Sequence, residues 1–205
     1  MLAHVASPDA AEASTLALLL HGYGSDERDL AGLAGYLPQG LPWASIRAPL
    51  RDPGFGYAWY SLDNAEFGAQ ADIEAATEAL WEWVDATVPP AANVIPIGFS
   101  QGGLMASQLL RTRPDRVPGA AILSGYVMAA PQPGDDVLAQ TRPPVMWARG
   151  SADLVIPARA VEHAEAWLPT RSTLDAHVYP GLGHSVSEPE LAHLNSFVAA
   201  IALAT

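Results

Sequence analysis

The chain has 205 residues and 21.6 kDa, half of them hydrophobic and 16% charged, which is the make-up of one globular unit over residues 1–205 and excludes a disordered or fibrous protein. Its 10 basic residues, all arginine, face 22 acidic ones, and the net charge of −12 excludes nucleic acid as a partner, since phosphate neutralisation needs clustered positive charge. Lacking Cys and Lys, it has no thiolate nucleophile, disulfide, Cys-bound metal, Schiff-base lysine or P-loop lysine.

Residues 1–13 show no basic region leading into an apolar stretch. No apolar run approaches the roughly 18 residues of a membrane helix, so a cytoplasmic location without stable membrane association is expected. The first short apolar run, residues 16–20, reads as a buried strand, and Leu30, Leu33, Ala34 and Leu37 follow at helical spacing. A strand over 44–48 precedes a stripe joining Ile73, Leu80 and Val84. The strand at 94–98 runs straight into Gly102, Met105, Ala106 and Leu109, again at helical spacing. Further strands are predicted over 120–123, 145–148 and 174–179. Pro157 opens a helix with Val161, Ala164 and Leu168 on one face, and Leu191, Leu194, Val198 and Ile201 form the last stripe. This alternation of strand and helix predicts an α/β fold: a mostly parallel central sheet with helices on both faces, and ligands bound at the carboxyl ends of the strands.

The residues just past each strand therefore matter most. Gly98-Phe99-Ser100-Gln101-Gly102-Gly103 is a G-x-S-x-G sequence at a strand-to-helix junction, the setting of a nucleophile elbow. The serine of such an elbow occupies a tight, strained turn, and Gly98 and Gly102 supply the missing side chains that let strand and helix approach. A plain glycine-rich helix start capped by Ser100 fits the same residues.

A serine hydroxyl becomes a nucleophile only beside a base, which needs an acid to orient it. Of the six histidines, His4 and His21 precede the serine, His163 reads as a solvated helix residue, His193 is also in a helical segment, and His177 lies mid-strand. His184 alone sits in a glycine-rich loop beyond a strand, before a capping box at Ser187-Glu188-Pro189-Glu190; a solvated surface histidine is the alternative. Asp153 follows the 145–148 strand and is the candidate acid, with a turn-forming Asp as the competing reading. Asp135 and Asp136 fall in a Pro/Gly-rich loop and read as a solvated acidic turn, without the spacing of a metal site. Two backbone amides should hold the oxyanion of an acyl-transfer intermediate: that of Gln101, next after the serine, and that of Tyr23 in the turn His21-Gly22-Tyr23-Gly24 after the first strand.

These blocks, together with Ser25-Asp26-Glu27-Arg28-Asp29, Gly150-Ser151-Ala152-Asp153 and Val155-Ile156-Pro157, resemble the phospholipase/carboxylesterase family of α/β-hydrolases, which includes the acyl-protein thioesterases. The resemblance implies an α/β-hydrolase fold without a large lid domain, and a serine hydrolase that needs neither cofactor nor metal. Ser100 would be the nucleophile, His184 the base, Asp153 its orienter, and the Tyr23 and Gln101 amides the oxyanion hole. Its substrates would be small-molecule carboxylic esters, with thioesters and lysophospholipids as further candidates. Gly22-Tyr23-Gly24-Ser25-Asp26 looks like bacterial members rather than the eukaryotic depalmitoylases, so depalmitoylation does not carry over. The aromatic-rich segment with Phe55, Trp59 and Tyr60 resembles a wall of the acyl groove. Leu154 and Val155 beside the acid, and residues 126–128, would add apolar lining. Trp59 and Tyr60 could equally close the edge of the domain, and exposed aromatics would offer a homodimer surface. Short to medium acyl chains are expected. A non-catalytic ligand-binding protein on this fold, and an amidase with the same three residues, are the competing functions.

Overall fold

In the computed structural model, which describes residues 1–52, 54, 56–62 and 70–204, the apolar runs assemble into one seven-stranded sheet. The strands are β1 (His4–Ala6), β2 (Thr15–Leu20), β3 (Trp43–Ile46), β4 (Leu50–Asp52), β5 (Gly56–Ala58), β6 (Asn93–Phe99), β7 (Ala120–Leu123), β8 (Pro144–Gly150) and β9 (Thr173–Tyr179). Helices are α1 (Gln70–Thr87), α2 (Gln101–Thr112), α3 (Asp135–Thr141), α4 (Ala158–Arg171) and α5 (Glu188–Ala204). The order across the sheet is β1-β3-β2-β6-β7-β8-β9, with β1 antiparallel to β3 and every other neighbouring pair parallel. A separate antiparallel pair, β4 and β5, lies outside it.

Successive side chains of a strand point to opposite faces, and here both faces are covered. Leu16, Leu18 and Leu20 of β2 pack into the core shared with α1, α2, α3 and α4. Ala17 and Leu19 face the other way, into a core with Leu30, Leu37 and the stripe of α5. All six residues of β2 are buried, which is why the strand is a continuous apolar run after Thr15 instead of alternating.

Four features depart from the regular alternation. The pair β4–β5 interrupts it after β3, and β1 adds an antiparallel edge. The stripe from Leu30 forms a 3₁₀ helix, Leu30–Tyr36, because Gly32 and Gly35 remove the propensity that favours an α-helix. Finally, the loop read as a solvated acidic turn contains α3, and Asp135 is not solvated. Its carboxylate receives two hydrogen bonds, of 2.8 and 2.7 Å, from the fully buried guanidinium of Arg111. Burial would raise the Asp135 pKa, but the Arg111 bonds outweigh it and hold the carboxyl below its ordinary value. His163 is likewise not solvated: its Nε2 is buried without a partner, and burial lowers its pKa.

Candidate active site

Ser100 stands between the carboxyl end of β6 and the first residue of α2, with φ 57° and ψ −117°. For a residue with a Cβ that conformation costs on the order of 1–3 kcal/mol and must be imposed by its surroundings. They do so from both sides, since the Ser100 N–H donates to Leu123 of β7 at 2.9 Å and its carbonyl accepts from Gly103 at 2.9 Å. The flanking glycines are required here: a Cβ on Gly98 would run into the Gly102 carbonyl, and one on Gly102 into the Leu20 carbonyl. Although Ser100 opens α2, its hydroxyl makes no capping bond. It meets Nε2 of His184 instead, at 2.9 Å.

His184 comes from the loop between β9 and α5, and its Nδ1 lies 2.7 Å from Oδ2 of Asp153 in the loop after β8. A carboxylate only accepts, so Nδ1 is the donor in that bond, and in the neutral ring this leaves Nε2 to accept from the Ser100 hydroxyl. The Phe99 ring packs 4.9 Å from the imidazole and limits its tilt. Asp153 serves two readings at once. Its Oδ1 accepts the Val155 and Ile156 N–H groups at 2.9 and 3.3 Å, forming the expected turn, while Oδ2 holds His184. Burial acts to raise its pKa, yet the bond from His184 and the two amides outweigh that and keep the carboxyl below its ordinary value. The capping box after His184 is half made. Ser187 donates its N–H to Glu190 at 3.4 Å, but the Ser187 hydroxyl is buried without a partner.

The turn after β2 packs against the elbow: a Cβ on Gly22 would sit 3.1 Å from the Phe99 ring and 3.5 Å from the Ser100 Cβ. His21 is buried and pinned at both ring nitrogens, Nε2 accepting the Ala48 N–H at 3.0 Å and Nδ1 donating to the Gly22 carbonyl at 2.7 Å. Burial lowers its pKa, in keeping with a neutral ring. Tyr23 follows, its hydroxyl bonded to the Asp52 carboxylate. In the first turn of α2, the Gly103 and Leu104 N–H groups bond Ser100, whereas that of Gln101 makes no hydrogen bond among the described residues.

A cavity of about 390 Å³ opens over Ser100 and His184 and includes Tyr23 and Gln101 in its wall. Tyr60 and Tyr126 line it with their hydroxyls bonded to each other at 2.9 Å, and Leu62, Val155 and Ile156 add apolar surface. Not every residue expected in a groove is there. Trp59 is 0% exposed and absent from this wall, because its indole is drawn inward to the His21 carbonyl. Leu154, at 95% exposure, points into solvent, since the Asp153 turn directs its neighbour Val155 to the cavity instead. Val127 and Met128 are buried in the core. Phe55 lies outside the described residues.

The sequence reading missed what the Gln101 side chain does. Its Oε1 accepts the Trp59 N–H at 3.0 Å and its Nε2 donates to the Tyr60 carbonyl at 2.9 Å. An amide at the +1 position of the elbow was the only available signal, and its partners lie about forty residues upstream.

A larger cavity, about 570 Å³, lies between α1 and α2 beside Glu78 and Trp81, but it contains none of these groups. Its size alone gives it no chemistry. Among the described residues no group of three or more His, Cys, Asp or Glu could hold a metal, and no helix is long and apolar enough to cross a membrane.

A family model described as phospholipase/carboxylesterase matches residues 2–202. Carboxylesterase SOBER1 of Arabidopsis thaliana is 27% identical over 157 residues, covering 69% of this chain and 66% of that protein. Acyl-protein thioesterase 1 of Kluyveromyces lactis is 28% identical over 209 residues, covering 91% of each. Among solved structures, esterase PE8 superposes with a TM-score of 0.78 at 28% identity, covering 98% of this chain and 99% of the other. The match spans 42% and 41% of two other plant relatives.

Proposed function

This chain belongs to the phospholipase/carboxylesterase family, and we propose from that premise that it is a serine hydrolase acting on small carboxylic esters through an acyl-enzyme. The observation that carries the reading is the continuous hydrogen-bonded line from the Ser100 hydroxyl through His184 to Asp153, beside a cavity large enough for a small acyl group. Ser100 Oγ attacks the ester carbonyl while its proton passes to His184 Nε2, and Asp153 steadies the imidazolium through Nδ1–H. The carbonyl oxygen, now an anion, is held by the Tyr23 and Gln101 amides, each worth roughly a hundredfold to a thousandfold in rate. Collapse breaks the ester C–O bond, and the departing alkoxide takes the proton from Nε2. Water then attacks the acyl carbon as one of its protons passes to Nε2, and collapse breaks the bond to Ser100 Oγ, which takes that proton back from Nε2 as the carboxylic acid leaves.

The buried Tyr60–Tyr126 pair restricts the cavity, whose volume is near the small end of ligand sites, so short to medium acyl chains are the substrates proposed; thioesters and lysophospholipids with such chains are chemically admissible. The test pairs a fluorophosphonate probe with an ester panel. Stoichiometric labelling at Ser100 and fastest turnover of butyrate or hexanoate esters are expected. No labelling of folded protein would defeat the enzyme reading, and faster hydrolysis of acyl chains of roughly 14 carbons at matched soluble concentration would defeat the size reading.

A further inference from the structure

We infer that Trp59 and the Gln101 side chain are positioning residues that set the spacing and aim of the two oxyanion amides, an assignment that rests on the serine-hydrolase reading above.

Those amides belong to different elements. The Gln101 N–H is on the elbow helix, and the Tyr23 N–H is on the turn after β2. Donors this far apart in sequence act together only if something rigid joins them, because electrostatic preorganisation depends on dipoles that need not reorient during reaction. Trp59 supplies the join. Its backbone N–H is taken by Gln101 Oε1 at 3.0 Å, and its indole N–H reaches the His21 carbonyl at 2.8 Å. One fully buried residue thus grips both sides of the hole.

The aim of the second donor follows from the planarity of a peptide. The Gly22 carbonyl and the Tyr23 N–H belong to one trans unit and point in opposite directions. His21 Nδ1 holds that carbonyl at 2.7 Å, so it also fixes the direction of the Tyr23 N–H. His21 is in turn held by the Ala48 N–H on its Nε2 and by the Trp59 indole on its carbonyl and against its ring, 5.5 Å between centroids. On the other side, Gln101 commits both ends of its side-chain amide to residues 59 and 60, which fixes that side chain and the first turn of α2 that carries its backbone N–H. The chain of contacts runs from the Gln101 amide to the Tyr23 amide through Trp59 and His21, which are not part of the cavity wall. Pairing of Gly24 and Ser25 with Tyr57, at 2.9 Å in each direction, ties the same turn to β5 just before Trp59.

The experiment measures kcat and KM on a butyrate ester for Trp59→Phe, which keeps an aromatic in the core but loses the indole N–H, for Gln101→Met, which keeps length but loses both side-chain bonds, and for the double variant. A misaimed hole weakens the transition state and not the ground state, so kcat should fall about tenfold to a hundredfold with KM little changed. Inhibition by an alkyl boronic acid, whose tetrahedral adduct occupies the hole, should weaken in parallel. Because the two residues act in series, the double variant should be no worse than the poorer single one. Unchanged kcat in either folded single variant, a change confined to KM, or multiplying losses in the double variant would each overturn the inference. Should Trp59→Phe not fold, Gln101→Met alone carries the kcat and boronate tests. Ser100→Ala separates the two levels: activity in that variant sinks the serine-hydrolase reading itself, whereas an inactive Ser100→Ala beside unaffected Trp59 and Gln101 variants sinks only this one.

Discussion

Two histidines in this protein lie beside an aspartate at nearly the same distance, His184 at 2.7 Å from Asp153 and His177 at 2.8 Å from Asp175. Asp175 and His177 are two residues apart on the edge strand β9, so the pleat alone brings them to one face. Their contact lacks hydrogen-bond alignment, and His177 stacks instead on His193 of α5, 4.3 Å between ring centroids. Asp153 and His184 come from two loops 31 residues apart, and their bond is aligned, with the Ser100 hydroxyl at the far nitrogen. Local proximity of acid and base is cheap and common. Convergence of two loops on a strained serine requires the whole sheet.

Variants that remove one member of each pair should separate them by orders of magnitude. His184→Ala and Ser100→Ala are each expected to lower kcat by about 10⁶-fold, as for groups that act as a unit, whereas His177→Ala should leave ester turnover near the parent value. Equal losses at His177 and His184 would break the comparison. Asp153→Asn comes next, with a loss of about 10⁴-fold from a wrongly oriented imidazole, against little change for Asp175→Asn; steady-state kinetics on one ester decides both.

Behind the His177 patch, Glu190 is 0% exposed, and burial, partly countered by the Ser187 N–H and by His177, raises its pKa to about 7. A folded-state pKa above the ordinary 4.5 means that the folded state binds this proton more tightly than the unfolded chain. The resulting stability is fully present below pH 4.5 and is lost as pH rises towards 7, by up to about 1.4 kcal/mol per pH unit. Thermal melts at about pH 5 and about pH 8 should therefore diverge more for the natural protein than for Glu190→Gln. A variant with the same pH dependence would exclude Glu190 as the source. The smallest effects belong to the loop that carries Asp153. Leu154→Ser should change stability by no more than about 0.5 kcal/mol and leave kinetics intact, because that side chain stands in solvent, while Val155→Asp, inside the cavity, should raise KM. Identical kinetics for the two would show that Val155 does not meet substrate.

The elbow was legible because its constraint is local. Two glycines and a serine at fixed spacing between an apolar run and a helical stripe leave few other conformations. His184 and Asp153 could be picked out by their place after strands, since the topology decides which loops share a rim. Asp135 was misread for the opposite reason: nothing near it in sequence announces the buried Arg111 that makes it an ion-pair partner. Trp59 and Leu154 failed likewise, because apolarity does not say whether a side chain turns inward, to the cavity or to solvent.

The sequence by itself determined the α/β alternation, the strained turn at Ser100 and the choice of candidate acid and base, because spacing and glycine placement act over a few residues. Tertiary structure alone decided which side chains line the cavity, which charges are buried, and that Trp59 joins Gln101 to His21. Those outcomes depend on directions and distances between elements far apart in the chain, which no local pattern of residue types encodes.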